Sequence, residues 1–325
     1  MNPEMMQKVE EMFLSGKITL EQKELLLKAL EHKDQQDSDN IKITTVLDTD
    51  KKELQVKLLN EDLIVQGDRE ATQVGIINGS ELVEVIKSEN KILIQSKKEN
   101  LSFIGNIIKS HEIITKKNGV LIQPRSSDDK VVIVMPASMI SSLKTVSGDI
   151  ELSNVQSEIS IKSVSGDIEV KNQIGAANLS TISGDINIDN HKGQVEIVSK
   201  SGDINIEDCE IKGLIKTYSG DICIDDGFIQ DLEMAVFSGD IEIRNAKADG
   251  EIQCKTFSGD ISAKLQAQSA FVNGVTASGE LFFRDANHTE HDITNKEIGD
   301  SSESLRIRIR TTSGDGNIQL EKRQG

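Results

Sequence analysis

The chain has 325 residues, with 54 acidic against 37 basic side chains and a formal net charge of −17. That balance excludes a nucleic-acid-binding role, which needs clustered Lys and Arg. It keeps a long β protein soluble and favours cationic peptides, basic proteins or metal ions as partners. Aromatic residues are 3%, with no Trp and one Tyr, so the core must come from Ile, Leu and Val.

The first segment, MNPEMMQKVEEMF, has neither a basic n-region nor an apolar h-region. No stretch approaches the ~18 apolar residues of a membrane helix, so the expected compartment is the cytoplasm, with the cell surface by an unrecognised route as the alternative. Residues 1–32 read as a helical hairpin. Met5, Met6, Val9, Met12 and Phe13 recur at helical spacing, Ser15-Gly16-Lys17 breaks the run, and Thr19 with Gln22 has capping-box spacing. Leu26, Leu27 and Leu30 then share one stripe. Helices this short are marginal alone, so the hairpin is expected to dock on a partner, on the body of the chain, or on a second copy as a homo-oligomer. Residues 33–40 are a polar linker, too charged to join a core.

Residues 41–142 carry short β-like runs without a strict repeat: LIVQ (63–66), KILIQ (91–95), GVLIQ (119–123) and VVIVMP (131–136). They are expected to lead into the next region and cover its first coil, since an uncovered end would expose unpaired strand edges. From residue 143 to 325 a repeat takes over. Ser-Gly-Asp begins at Ser147, Ser165, Ser183, Ser201 and Ser219 at intervals of 18, then at Ser238 and Ser258. Ser-Gly-Glu follows at Ser278, and a last Ser-Gly-Asp at Ser313.

Four residues before the Ser of each of the first seven copies stands an apolar residue, such as Leu143, Ile161 and Leu179. One and three after each Asp stand another pair, such as Ile168 and Val170. Period-two alternation on both sides marks two strands per unit, with a phase slip at Ser-Gly-Asp that makes a corner. Gly frees the backbone there, and Asp and Ser can bond their own local N–H groups. Seven residues after each of the first six Ser lies Asn154, Asn172, Asn190, Asp208, Asp226 or Asn245, a second corner of left-handed-tolerant residues able to bond from coil to coil. The expected fold is mainly β: a parallel β-solenoid, a single-stranded β-helix that the usual chirality rule makes right-handed. At ~4.8 Å per coil, eight coils make a rod roughly 40 Å long.

Three sets of residues could carry chemistry. Stacked carboxylates Asp149, Asp167, Asp185, Asp203 and Asp221 could form a calcium ladder, but the unit lacks the Gly-Asp density of calcium-binding rolls, and corner chemistry accounts for them. The row before each Ser ends in Tyr218, Phe237 and Phe257. Strict alternation places it outside as a binding stripe, whereas a corner that begins early folds it inward. About 15 extra residues precede Ser313 and include His288 and His291, an HxxH spacing that suits a metal weakly and a solvated loop better. Cys209, Cys223 and Cys254 form no CxxC pair and read as reduced thiols of a reducing compartment. No phosphate loop, nucleophile elbow or HExxH motif is present, so the chain is expected to be no enzyme and to need no cofactor.

The repeated V/I/Y/F-Ser-Gly-Asp-Ile unit, preceded by VVIVMP, resembles the bacterial "putative adhesin" family of Ser-Gly-Asp β-strand repeat proteins over roughly residues 41–322. Gly16, Lys17, Ile18 and Thr19 within FLSGKITLEQKELLLKALE resemble the SHOCT-type helical hairpin. Together they are similar to YvlB/LiaX-type proteins of Firmicutes, which implies a part in the response to cell-envelope stress and cationic antimicrobial peptides. The expected function is a non-enzymatic scaffold. The solenoid would bind a protein or cationic peptide, and the hairpin would dock or self-associate. A surface adhesin and a metal-stabilised or carbohydrate-active β-helix are the alternatives.

Overall fold

The computed structural model describes residues 44–46, 53–88, 90–97, 130–267, 269–285, 289–291, 293, 297–298 and 305–321. The hairpin expected at 1–32 and the linker at 33–40 lie outside these residues. The described part is mainly β, in strands that stack as a solenoid, and among the described residues there is no helix long and apolar enough to cross a membrane.

Each repeat folds as strands on either side of the Ser-Gly-Asp corner, and each strand pairs in parallel with its counterpart one unit away. Ile159–Lys162 lies between Ile140–Lys144 and Ala177–Ser183. Beyond the corner, Ile168–Ile174 lies between Ile150–Ser153 and Ile186–Ser201. The columns read from the sequence point inward: Leu143, Ile161, Leu179, Ile197, Ile215, Met234 and Cys254 are fully buried. So are Ile168, Ile186, Ile204 and Ile241. Burying one such side chain contributes about 1.5–3 kcal/mol, and β-branched Ile suits both the pleat and the stack.

The period lengthens after Ser219 through identifiable insertions. Register between Glu210–Ser219 and Phe228–Ser238 slips by one residue between Ile211 and Gly213, and Asp231 in the bulged strand has φ 48°. A second slip, between Gln230 and Leu232, coincides with Gly250 at φ 75° in the next strand.

Both ends of the stack depart from sequence order. Leu305–Ser313 pairs on one side with Ile241–Ser258 and on the other with Phe271–Ser278. Gly316–Glu321 likewise lies between Ile261–Gln266 and Leu281–Arg284. The Ser313 unit is therefore inserted between the Ser258 and Ser278 units, and the Ser278 unit forms the end. The opposite end mirrors this. Glu53–Lys57 and Asp62–Asp68 form a coil under the Ser147 unit, with Lys91–Ser96 and Lys130–Pro136 on its far side. Antiparallel strands finish both ends: Val74–Asn78 and Val83–Lys87 at one, Thr289–His291 and Glu297–Ile298 at the other. They pair with edges that would otherwise template end-to-end association.

Candidate functional site

The Ser-Gly-Asp corner is a structural device first. At Gly202 φ is 145°, and an added Cβ would lie 2.1 Å from the Gly184 carbonyl oxygen, so backbone conformation and coil packing both demand glycine. At Gly166 close approach alone decides, with the Gly148 carbonyl 2.0 Å from the same imaginary Cβ.

The aspartates correct the expectation that they bond their own local N–H groups. The Asp167 N–H donates to Asp149 Oδ1 at 2.9 Å, and Asp185, Asp203, Asp221, Asp240 and Asp260 repeat the bond to the preceding aspartate at 2.7–2.9 Å. Asp62 begins the ladder, and Asp315 and Glu280 end it. One oxygen per carboxylate is thus tied to the neighbouring coil's backbone. Like charges ~4.8 Å apart repel by roughly 0.9 kcal/mol in water. A hydrogen bond to a charged acceptor contributes about 1.5–3 kcal/mol, which offsets this. Among the described residues no three His, Cys, Asp or Glu side chains converge as a metal site.

The second corner follows the sequence reading. Asn154, Asn172, Asn190, Asp208, Asp226 and Asn245 all adopt left-handed φ between 52° and 59°. Asn172 Nδ2 donates to Asn154 Oδ1 at 3.1 Å, and Asn190 Nδ2 to Asn172 Oδ1 at 2.7 Å.

The row before each Ser faces outward, so of the two readings the sequence left open the structure selects the exposed one. Val146, Val164 and Ile182 are half-buried, and Lys200 is exposed. Tyr218, Phe237 and Phe257 are 57%, 44% and 52% exposed. Their rings stack with centroids 4.6 and 4.9 Å apart and planes within 4° and 2° of parallel. Because coil spacing matches ring spacing, the rings cover one another's faces and present mainly edges to solvent; each pair contributes about 0.5–1.5 kcal/mol beyond burial. Two residues earlier on the same face stand Lys216 and Lys255, and three residues later the ladder carboxylates Asp221, Asp240 and Asp260. Lys255 Nζ bonds Glu233 Oε1 at 2.7 Å, which holds the Glu233 carboxyl below its usual range.

Of the remaining expected residues, Gly16, Lys17, Ile18, Thr19 and His288 lie outside the described residues. His291 belongs to the strand paired antiparallel with Leu281–Arg284, so the backbone there is an end-covering strand rather than a solvated loop. Cys209, Cys223 and Cys254 form no disulfide, and burial pushes the Cys209 thiol up to about 11 and that of Cys254 to about 12.

An interior polar column escaped the sequence reading. Gln173, His191 and Cys209 occupy the same place in successive coils and are almost fully buried. The His191 N–H donates to Cys209 Sγ at 3.2 Å. Burial drives the imidazole pKa down to about 4; the Gly193 backbone opposes this only weakly, and neither ring nitrogen makes a well-formed hydrogen bond. The 18-residue spacing was the available signal, since these positions fall between the Asn corner and the next strand.

Comparison with known proteins gives a family and two distant folds. The family model described as Toastrack DUF4097 matches residues 51–319. A solved structure from Bacteroides fragilis described as a "putative adhesin" is 13% identical, covering 87% of this chain and 98% of that one, with a TM-score of 0.40. Another, from Clostridium sporogenes and described as a "putative cell adhesion protein", is 10% identical, covering 86% and 98%, with a TM-score of 0.19. No curated protein matches the chain.

Proposed function

Taking as premise that the chain belongs to the Toastrack DUF4097 family, we propose that it is a non-enzymatic binding scaffold. Its ligand surface is the aromatic stripe Tyr218–Phe237–Phe257 with the aspartate ladder beside it. One observation carries this reading: three aromatic side chains lie in register, stacked and about half exposed, in a chain with only 3% aromatic residues. Exposed apolar stripes of this kind suit a protein partner. Ring edges rather than faces point outward, which suits a peptide's apolar side chains better than the flat face of a sugar ring.

The partner is a cationic, amphipathic protein or peptide segment. Its apolar face meets the rings, and its Lys or Arg side chains meet the free carboxylate oxygens of Asp221, Asp240 and Asp260. The non-enzymatic reading draws support from the burial of the displaced imidazole and thiols of His191, Cys209 and Cys254 inside the coils. The finer elements are a place in the envelope-stress or antimicrobial-peptide response, a cytoplasmic location, and docking or self-association through the hairpin at 1–32. They rest on the resemblance carried by Gly16–Thr19 and on the three free thiols.

The test is a fluorescence titration of a labelled amphipathic Lys/Leu peptide against the full chain and a Tyr218→Ser/Phe237→Ser/Phe257→Ser variant. Binding that weakens at least about tenfold in the variant and falls with added salt supports the site. Unchanged affinity in a folded variant would sink it. A crosslinked pull-down of the full chain against a deletion of residues 1–40 then separates the hairpin from the solenoid as the recognition element.

A further inference from the structure

The outward face that bears the aromatic stripe carries a second feature toward the opposite end of the rod. Lys57, Lys144 and Lys162 are register partners on three adjacent parallel strands, so their backbones stand ~4.8 Å apart in one column. Two residues earlier on each strand, Gln55, Ser142 and Ser160 form a neighbouring column of hydrogen-bonding groups on the same face. On the other side the half-buried Val146 and Val164 thin the solvent around the ammonium stems. Three like charges at this spacing repel one another, the more so where water is partly excluded. Burial, then Lys162, then Lys57, hold the Lys144 ammonium below the usual lysine range.

The column lacks the compensation found elsewhere on the molecule. Lys171, Lys192, Lys255 and Lys264 each lie against a carboxylate. Among the described residues, Lys57, Lys144 and Lys162 make no ion pair. Glu53, whose Oε1 accepts from Gln55 Nε2, and Glu158 each stand two residues before the Gln/Ser column, away from the lysines, and Glu84, beyond the Gln95 that partners Lys57, accepts from the Gln95 amide. Unpaired stacked lysines in a chain of net charge −17 call for an anion from outside.

We propose that Lys57, Lys144 and Lys162 form a binding site for a phosphate-type oxyanion of the di- or oligophosphate class, with the Ser142 and Ser160 hydroxyls as additional donors. Lysine serves phosphate as a point charge on a flexible stem, and two neighbouring ammonium groups can reach oxygens of one phosphate while the third meets the next. The column is separate from the aromatic stripe and the aspartate ladder, so the site stands whether or not those bind a peptide.

Pyrophosphate is the probe, titrated calorimetrically into the full chain at low ionic strength. In parallel, sedimentation is followed with phosphatidylcholine vesicles with and without a phosphoinositide bisphosphate. Wild type is compared with Lys144→Gln, with Lys57→Gln/Lys162→Gln, and with Lys192→Gln as a control elsewhere on the rod. The expected result is saturable pyrophosphate binding that weakens at least about tenfold in the first two variants, as loss of a charge-assisted contact implies, and is unchanged in the control. The Lys144 ammonium, followed by NMR, titrates at higher pH in the complex. Vesicle binding that requires the phosphoinositide and is lost with Lys144→Gln places the phosphate on a lipid headgroup; pyrophosphate binding without vesicle binding places it on a free ligand. No saturable binding of either probe, or binding unaffected in both variants, overturns the site. The double variant leaves the packing of Lys144 intact, so a folding defect in the single one is told apart from a lost ligand. Peptide binding by the Lys144→Gln variant stays at the wild-type level, which separates this test from that of the aromatic stripe.

Discussion

The units from Ser147 to Ser219 and those from Ser219 onward solve the same packing problem with different regularity. In the first group every column has one occupant per 18 residues, and the Asn corner bonds from coil to coil. In the second, bulges at Asp231 and Gly250 lengthen the period, and the row before Ser turns aromatic. Strict periodicity leaves little surface that is specific to one place along a rod. The irregular half therefore holds the stacked rings and the bulges, while the regular half carries the buried polar column inside and the lysine column on its outer face.

The largest effect breaks the comparison at its most regular point. Gly202→Val places a β-branched side chain at φ 145° against the Gly184 carbonyl 2.1 Å from its Cβ, so strain of about 1–3 kcal/mol adds to a backbone clash that must shift the whole coil. The expected outcome in a thermal melt is loss of the cooperative transition or a drop of well over ten degrees. Gly75→Ala, in an antiparallel end strand where an added Cβ meets nothing within 4 Å, is expected to leave the melt within a few degrees of wild type. Equal sensitivity at the two sites would show that position along the stack is irrelevant.

A middle-sized effect sharpens it through the buried imidazole of the regular half. The folded His191 pKa, about 4, lies below its ordinary value of 6.5, so the unfolded chain takes up the proton first. Its contribution is intact above about pH 6.5 and is lost as pH falls toward 4, amounting to about 3 kcal/mol at 1.36 kcal/mol per unit. Urea denaturation across that range should show the fall in wild type and a flatter profile in His191→Gln. Parallel curves would mean that the imidazole is solvated in the fold.

The smallest effect concerns the aspartate ladder common to both halves. Asp203→Ala removes the acceptor for the Asp221 N–H and should lower stability by about 1 kcal/mol, whereas Asp203→Asn keeps an acceptor oxygen, removes a repelling charge, and should be neutral or slightly stabilising. Chemical denaturation resolves the two. A loss for Asn as large as that for Ala would mean that charge, not the acceptor, holds the coils.

Much of this was legible in the sequence because the repeat writes its geometry at fixed intervals. The inward positions of Leu143 and Ile168, the left-handed Asn172 and the glycine corner all follow from alternation and turn chemistry. Coil order was not legible. Ser258, Ser278 and Ser313 head nearly identical tripeptides, so nothing local says which pairs with which. The coil under the Ser147 unit was hidden for a different reason. Its corner is Asn60-Glu61-Asp62, in which the Asp62 carboxylate keeps the ladder contact. Buried Glu61 instead accepts from the Leu59 and Asn60 amides and the Ser96 hydroxyl, so the motif vanishes while its geometry persists. The outward turn of Tyr218 was open to two readings because the corner's phase slip lies within one residue of it.

The inserted coil has a consequence for how the chain is made. Residues 271–284 leave the ribosome before 305–321, yet they rest on the latter rather than on the coil that precedes them in sequence. Stacking can therefore proceed vectorially only as far as Ser258. The stretch that follows must wait as an unseated flap until the closing strand slides in beneath it. A ribosome that stalls late would release a rod with a missing rung and a loose lid, a species that proteases can tell from the finished one.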